Sequence, residues 1–411
     1  MKGNRILFIT ESPFSFDLNG AASFSSGHLL ALFYAYPNAD ILILHLTNES
    51  PIRNEQLNPY LNEAGFKGAI TIRTIPSTRL KFRIIKVKSI LSFSFSSFRN
   101  KTIKLFSNME NELIGAVQKI IGDFNPDLIW AEHILPVLLV IHNKPMAPVI
   151  YSHHDFLFRV LKERNKFSLR NFFRIKMLKN TEIQLLKQVD FFINGSEAER
   201  QYALQKNPKL HTLTFPAVYP IHISNFESNN NMLLSNRLVH IGSFSATANR
   251  IGLAGLLKHV YPQLKKEIEN FELYLIGNRI SFVDTEFSWV DKEPQIKIPG
   301  HVNDLSAVLQ PYDVHVVPYD RGTGTRTRLL NALRYHGVVV LFEKTTKDFP
   351  ELKREIDLLA AANYSDFTKQ IVRFLQDPDL RKKTGDRAFN KLNTHYTIQQ
   401  LSEKIKQLLA A

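Results

Sequence analysis

The chain has 411 residues, of which 44% are hydrophobic and 22% charged, a composition typical of globular proteins rather than long disordered stretches. At roughly 100–200 residues per domain, this length predicts two or three domains. Cysteine is absent, which excludes disulfides, thiolate metal sites and a thiol nucleophile and fits a reducing compartment. Because no apolar run approaches the ~20 residues of a membrane helix and the N-terminus lacks a signal-peptide pattern, we expect a cytoplasmic protein.

The net charge of +14 is concentrated in the first half of the chain. Residues 64–109 contain no acidic residue and mix Lys and Arg with Phe, Leu and Ile, and a second basic cluster spans residues 159–179. Such segments attract anionic partners and can lie in a membrane interface. We therefore expect the protein to sit peripherally on an anionic membrane surface at the inner face. A solvated basic face is the alternative, and nucleic acid ranks last because it explains no strand-end motif.

The first half of the chain alternates short apolar runs with longer helical patterns. The runs are mostly continuous rather than alternating, as expected for strands covered on both faces. They predict strands at 5–10, 40–47, 69–76, 127–131, 149–152, 190–194 and 212–215. Helices are predicted at 23–36, 101–121 and 167–188. This βα repeat is typical of a parallel, doubly wound sheet.

A polar, turn-rich segment at 221–236 interrupts the pattern and predicts a linker between domains 1–220 and 237–395. After it, strands are predicted at 238–241, 272–276, 295–298, 314–317, 338–342 and 357–360. Helices are predicted at 251–268, 304–309, 326–336, 365–375, 380–392 and 398–409. The chain is thus expected to form two Rossmann-like α/β domains with doubly wound parallel sheets facing a cleft, with functional residues just after the strands.

Several strand ends are followed by residues suited to ligand contacts. The first strand leads through a loop to Gly20 and Ala21 at a helix start, where small residues let amide groups approach a phosphate. Gly242, Ser243 and Phe244 follow the first strand of the second domain in the same way. By itself the first pattern is better explained by a plain helix cap, and an ordinary βα turn explains the second equally well. Glu132 and His133 end another strand and are candidate acceptor contacts.

The strongest local pattern is a glycine-containing loop after the strand at 314–317. The loop contains Thr323, Gly324 and Thr325, and it opens a helix with Arg326 and Arg328 in the first turn. Cations at a helix N-terminus oppose the helix dipole, so two of them there need a reason. A diphosphate bound by arginine side chains and loop amides supplies that reason, whereas a solvated arginine pair is the alternative.

The segment 322–332, Gly-Thr-Gly-Thr-Arg-Thr-Arg-Leu-Leu-Asn-Ala, resembles a motif of the GT-B nucleotide-sugar glycosyltransferases, specifically the retaining glycosyltransferase family four. The segments 242–249, 299–305 and 152–155 are similar to further motifs of that family. The resemblance implies that His301 and Val302 face the donor base and that Asn331 takes the place of a carboxylate that holds the ribose. It also implies that His154, followed by Asp155, lies near the anomeric carbon of the donor.

The resemblance implies transfer of a sugar from a nucleotide-diphosphate donor to a saccharide or lipid-linked acceptor, in cell-surface polysaccharide assembly. It implies retention of configuration and a helix near 396–411 that crosses back onto the first domain. No Asp-x-Asp motif follows a strand, so we expect no metal and no cofactor besides the donor, with Arg326 and Arg328 neutralising the leaving diphosphate. A GT-B epimerase or hydrolase, or a weakened binding homologue suggested by Asn331, stays open as an alternative.

Overall fold

The computed structural model describes residues 5–16, 20–48, 50–76, 111–164, 168–216, 218, 234–242, 247–277, 287–302, 304–319 and 327–410. The chain divides into two compact units, Met1–Phe215 with Ile398–Ala411, and Pro216–Thr397. Most of the predicted linker, and the basic segment from residue 77 to 109, lie outside the described residues. No described helix is long and apolar enough to cross a membrane.

The first unit is built on a seven-stranded sheet in the order β3-β2-β1-β4-β5-β6-β7, and every described pair is parallel. The strands are β1 Arg5–Thr10, β2 Asp40–Leu46, β3 Ile70–Ile75, β4 Leu128–Glu132, β5 Val149–His153, β6 Phe191–Asn194 and β7 His211–Thr214. β4 and β5 are buried at every residue, which is why they appear in the sequence as continuous apolar runs. The predicted parallel α/β sheet of the first domain is confirmed.

The described helices of the first unit are α1 Gly20–Ala35, α2 Asn54–Glu63, α3 Asn111–Phe124, α4 Ile134–Ile141, α5 Leu157–Arg164, α6 Leu169–Leu186 and α7 Glu197–Lys206. Four of them, α2, α4, α5 and α7, were not predicted. All eight residues of α4 are buried, so this helix has no polar face and shows no helical periodicity. The predicted helix at 101–121 begins outside the described residues and continues as α3.

The second unit contains a six-stranded parallel sheet in the order β10-β9-β8-β11-β12-β13. The strands are β8 Arg237–Ile241, β9 Glu272–Ile276, β10 Ile296–Gly300, β11 Val314–Val317, β12 Val338–Phe342 and β13 Leu359–Ala361. The helices are α8 Thr247–Gly255, α9 Tyr261–Glu267, α10 Thr327–Arg334, α11 Tyr364–Gln376 and α12 Pro378–His395. The predicted second α/β sheet is likewise confirmed.

Two predicted helices of the second unit differ from the structure. The helix predicted at 251–268 starts earlier, at Thr247, and is interrupted by a π-helical turn at Leu256–Val260 before α9 begins. At 304–309 there is only a short 3₁₀ turn, Leu305–Ala307, which begins where the Asp304 side chain accepts the amide of Ser306. A side chain that satisfies its own backbone favours a turn over a longer helix.

The last helix, α13 Ile398–Ala410, belongs to the first unit although the helix before it belongs to the second. It packs against α1 and β7. Its buried residues Ile398, Leu401, Ile405 and Leu409 recur every three or four positions, which places them on one face of the helix. The ammonium group of Lys404 lies 4.8 Å from the centre of the Phe215 ring. The chain therefore returns to its first unit at the end.

Candidate functional sites

The carboxyl edge of the first sheet holds a buried polar network around Glu132. β4 and β5 are neighbours in the sheet, and they end at Glu132 and His153. The Glu132 side chain is fully buried, and its carboxylate is an acceptor only. It receives hydrogen bonds from Trp130 Nε1 at 2.6 Å, His28 Nδ1 at 2.8 Å, Ser152 Oγ at 2.8 Å and His154 Nε2 at 2.7 Å. Four donors thus surround one buried carboxylate.

The protonation states of this network follow from its burial and its contacts. Burial by itself would raise the pKa of Glu132, but the electrostatic interactions and hydrogen bonds with His28 and His154 outweigh it and lower the pKa below the ordinary 4.5. Burial also lowers the pKa of His154, although Glu132 opposes this change. We infer an ionised Glu132 and a neutral His154 near neutral pH. Because Nε2–H of His154 donates to Glu132, its Nδ1 is left as an acceptor.

His133 follows Glu132 in a strained backbone conformation. Its φ is +71° and its ψ is 175°, a region that is otherwise populated by glycine and costs on the order of 1–3 kcal/mol. The imidazole ring lies against that of His154, with ring centres 3.6 Å apart and ring planes tilted by 34°, and Nε2 lies 3.3 Å from Ser12 Oγ. Burial, and then the neighbouring His154, hold the pKa of His133 well below 6.5. The chain therefore keeps a neutral imidazole in an unfavourable conformation beside His154.

The residues predicted for the first domain lie at or near this edge. Gly20 is exposed and Ala21 half-buried at the start of α1, and Asp155 is half-buried directly after His154. Glu132 was predicted to contact the acceptor, but a buried carboxylate with both oxygens bonded presents no surface, and its geometry points to a positioning role. Sequence reasoning missed His28, which reaches the network from the middle of α1. The feature that could have indicated His28 is a histidine within a helix whose residues are nearly all buried.

At the carboxyl edge of the second sheet, an arginine lies near the residues that follow two adjacent strands, β8 and β11. Arg328, near the start of α10, donates from Nη1 to Asn249 Oδ1 at 3.0 Å and to the Tyr319 hydroxyl. A Cβ on Gly242 would lie 3.1 Å from Arg328 Nη2. Glycine at the end of β8 therefore leaves the space in which the guanidinium lies. Gly242 and Arg328 were predicted as donor-binding residues, and the fold places them together.

A buried chain of hydrogen bonds leads from the sheet to the Tyr319 hydroxyl and positions this arginine. His240 in β8 donates from Nδ1 to the carbonyl of Val316 at 3.0 Å, and its Nε2 lies 3.2 Å from the Tyr319 hydroxyl. Burial lowers the pKa of His240 to about 3, the Val316 carbonyl opposes this, and the charge of Arg328 adds to it. His240 is therefore neutral, and its Nε2 accepts a hydrogen bond from the Tyr319 hydroxyl. The Tyr319 oxygen in turn accepts a hydrogen bond from Arg328. All of these supporting groups are neutral, so none of them compensates the charge of Arg328.

The other predicted donor-binding residues lie near this edge or outside the described part of the chain. His301 is exposed and Val302 half-buried just after β10, where Gly300 adopts φ +77°. Asn331 lies one turn after Arg328, and its buried Oδ1 has no hydrogen-bond partner among the residues that the structure describes. The predicted residues outside the described ranges are Ser243, Phe244, Thr323, Gly324, Thr325 and Arg326. Within the described ranges no group of three or more His, Asp and Glu residues is arranged to hold a metal ion.

Comparison with known proteins identifies the class of this chain. Residues 235–377 match the family model described as "Glycosyl transferases group 1". Sucrose-phosphate synthase from Thermosynechococcus elongatus superimposes with a TM-score of 0.68 at 15% identity, over 99% of this chain and 98% of that one. S. aureus TarM, solved with UDP, gives 0.65 at 13% identity over 99% and 100% of the two chains. Anabaena HepE, solved with UDP and glucose, gives 0.61 at 14% identity over 99% of each chain.

These findings establish the fold across the whole chain and the family of the second unit. The chain has the GT-B fold, and its second unit carries a glycosyl transferases group 1 domain. The predicted class of enzyme, a glycosyltransferase, is confirmed. No curated protein matches the chain in sequence. The finer assignment to glycosyltransferase family four stays a prediction.

Proposed function

We propose that this protein transfers a sugar from a nucleoside-diphosphate sugar to a saccharide or lipid-linked acceptor during the assembly of a cell-surface polysaccharide. The observation that carries the proposal is Arg328, held by neutral partners beside Gly242 in the glycosyl transferases group 1 domain. An arginine whose charge is not compensated by its supports suits a diphosphate. The structures of TarM and HepE were solved with UDP, which supports a nucleotide donor here as well.

The donor-binding roles follow the strand ends of the second unit. Arg328, with Arg326, neutralises the diphosphate, and the loop residues Ser243, Phe244, Thr323, Gly324 and Thr325 supply backbone amides. Asn331 offers a ribose hydroxyl its buried Oδ1, which has no hydrogen-bond partner among the described residues. His301 and Val302 face the base. In the first unit, Gly20 and Ala21 supply amides at the start of α1.

The reaction we propose proceeds with retention of configuration and without a divalent metal. The bond between the anomeric carbon and the diphosphate oxygen breaks, a bond to the acceptor oxygen forms, and the acceptor proton passes to the leaving diphosphate. His154 orients a sugar hydroxyl through its Nδ1, with Asp155 beside it, while Glu132, itself bonded to His28, holds the imidazole. The enzyme thus contributes positioning and charge stabilisation rather than a nucleophile. We place the protein in the cytoplasm, peripherally at the inner face of the membrane.

The proposal is tested with purified protein and a panel of nucleotide sugars. One donor is expected to raise the melting temperature, since a ligand bound at 100 times its Kd stabilises by about 2.7 kcal/mol. Turnover with candidate acceptors is then followed with and without a chelator. No shift with any donor would overturn the proposed donor site, and activity lost to chelation and restored by manganese or magnesium would overturn metal independence.

Two other functions share the same donor site and are separated by its products. An epimerase or hydrolase converts the donor in the absence of any acceptor, so products from donor alone identify it. A weakened homologue binds the donor without turnover, an outcome for which Asn331 in the place of the resembled family's carboxylate is the motive. Anomeric analysis of the product distinguishes retention from inversion.

A further inference from the structure

Helix α6 is buried on one side along its carboxyl-terminal half and more exposed along its amino-terminal half. From Ser168 to Met177 no described side chain is fully buried, although Ile175 packs against the core, whereas Leu178, Thr181, Leu185 and Leu186 are buried in the first unit. The more exposed half nevertheless carries three large apolar residues. Leu169 is 71% exposed, Phe172 50% and Phe173 45%.

The exposed residues form one face rather than a scatter. At 3.6 residues per turn, Leu169, Phe172, Phe173, Lys176 and Lys179 fall within a sector of about 120°, opposite the buried Leu178 and Leu185. The two phenylalanine rings touch edge to face, with centres 5.7 Å apart. We call these five residues the α6 face. Single exposed apolar residues are ordinary on a protein surface, but an adjacent trio on one helix marks an interaction surface.

The charges around the α6 face indicate an anionic partner. Lys176 and Lys179 are exposed next to the apolar trio, and Lys162 is exposed on the neighbouring helix α5. The helix has one carboxylate, Glu182, which is 1% exposed and accepts the amide of Leu157 at 2.7 Å. Its carboxyl group is thus turned inward, toward the start of α5. The outer surface of α6 is therefore apolar and cationic, without an exposed acid.

We propose that the α6 face docks the protein on an anionic lipid bilayer. Phe and Leu side chains flanked by lysines suit the interface, where rings dip among the headgroups and ammonium groups contact lipid phosphates. A second copy of the chain fits less well, because a two-fold contact through this face brings the lysines of both copies into one interface without an exposed acid of α6 to pair with them. The inference does not depend on the proposed reaction, since docking is measured without substrate.

The test is co-sedimentation of the full chain with phosphatidylcholine vesicles that contain or lack phosphatidylglycerol, at low and high salt. We expect binding only with phosphatidylglycerol, and less of it at high salt. Phe172→Ser with Phe173→Ser should weaken binding about tenfold by removing the inserted rings. Lys176→Glu with Lys179→Glu should weaken it at least about twentyfold, since each basic residue contributes about a fivefold factor.

Matched variants in the second unit serve as controls. Ile356→Ser removes an apolar residue that is 42% exposed, comparable to Phe173. Lys369→Glu with Lys383→Glu reverses two exposed charges on α11 and α12. Both controls should bind vesicles as the wild type does, and circular dichroism should show that all variants are folded.

Three outcomes would overturn the proposal. The first is no sedimentation with phosphatidylglycerol vesicles at low salt. The second is binding that the α6 variants and the control variants change equally. The third is a concentration-dependent dimer, seen by light scattering, that the phenylalanine variant abolishes, because the α6 face would then be an interface between copies.

Discussion

The carboxyl edges of the two sheets place their charge in opposite ways. In the first unit, a buried negative charge on Glu132 is enclosed by four donors. In the second, the positive charge of Arg328 rests on neutral oxygens of Asn249 and Tyr319, with a neutral His240 behind them. An enclosed charge orients its neighbours, whereas a charge that none of its described hydrogen-bond partners neutralises suits an anionic ligand. This difference is the basis on which we propose positioning for the first edge and anion binding for the second.

Substitution of Arg328 tests the proposed anion binding at the second edge, and we expect it to give the largest effect. Arg328→Ala should cost about 1.5–3 kcal/mol in nucleoside-diphosphate binding, because a charge-assisted hydrogen bond to the ligand is lost. This corresponds to a loss of affinity between about tenfold and 150-fold, measured by calorimetry. The matched control is Arg373→Ala, an exposed arginine paired with Glu355 in the same unit, which should bind as the wild type does. Unchanged affinity in Arg328→Ala would place the diphosphate elsewhere.

Glu132→Gln tests the enclosed charge of the first edge. Its amide group cannot accept from donors on both sides, so we expect a loss of about 1–3 kcal/mol in unfolding free energy near neutral pH. Because the pKa of Glu132 is lowered in the folded state, the wild-type advantage is full above the ordinary 4.5 and shrinks as the pH falls below it. Denaturant unfolding across this pH range measures the effect. Glu403→Gln, on an exposed carboxylate of the same unit, should change little at any pH.

Glu132→Gln also separates positioning from simple structural support. If Glu132 holds the tautomer of His154, turnover should fall and its pH profile should shift, with little change in donor affinity. A variant that is less stable but keeps the wild-type pH profile of turnover contradicts the positioning role.

The strained backbone of His133 makes a smaller difference, visible between two substitutions at one position. Both His133→Gly and His133→Ala remove the ring that contacts His154, so both should lower turnover alike. Only glycine relieves φ +71°, so the glycine variant should be more stable than the alanine variant by about 1 kcal/mol. Thermal unfolding of the pair measures this difference. An alanine variant of equal or greater stability would show that the conformation is not strained.

Gly242→Ala probes the space beneath Arg328 and should give the smallest effect. The added methyl group lies 3.1 Å from Nη2 and must push the guanidinium aside, which should lower donor affinity about two- to fivefold. Gly122→Ala is the control, because its Cβ meets nothing within 4 Å on α3. The control should bind donor normally and be slightly more stable, as alanine is favoured over glycine in helices. Equal donor affinity in both variants would mean that the guanidinium needs no such space.

Much of the secondary structure was predictable because strands buried on both faces leave a local signal. β1, β9, β11 and β12 were predicted with the bounds that the structure has, since each is a short apolar run between polar turns. Helix α4 was not, because complete burial removes the polar face that periodicity needs. Helix α5 was missed as well, because its first amides are satisfied by Glu182, 25 residues further along the chain.

The sequence by itself determined the two α/β sheets, the strand ends that precede His154 and Gly242, and the helix start that carries Arg328, because a buried strand and the polar turn after it occupy consecutive residues. Only the tertiary structure decided which side chains meet. His28 reaches Glu132 across 104 residues, and Arg328 reaches Asn249 across 79. These contacts depend on the strand order, which places β1 beside β4 and β8 beside β11. Local periodicity reports which face of a strand is buried, but it carries no information about which strand lies next to it.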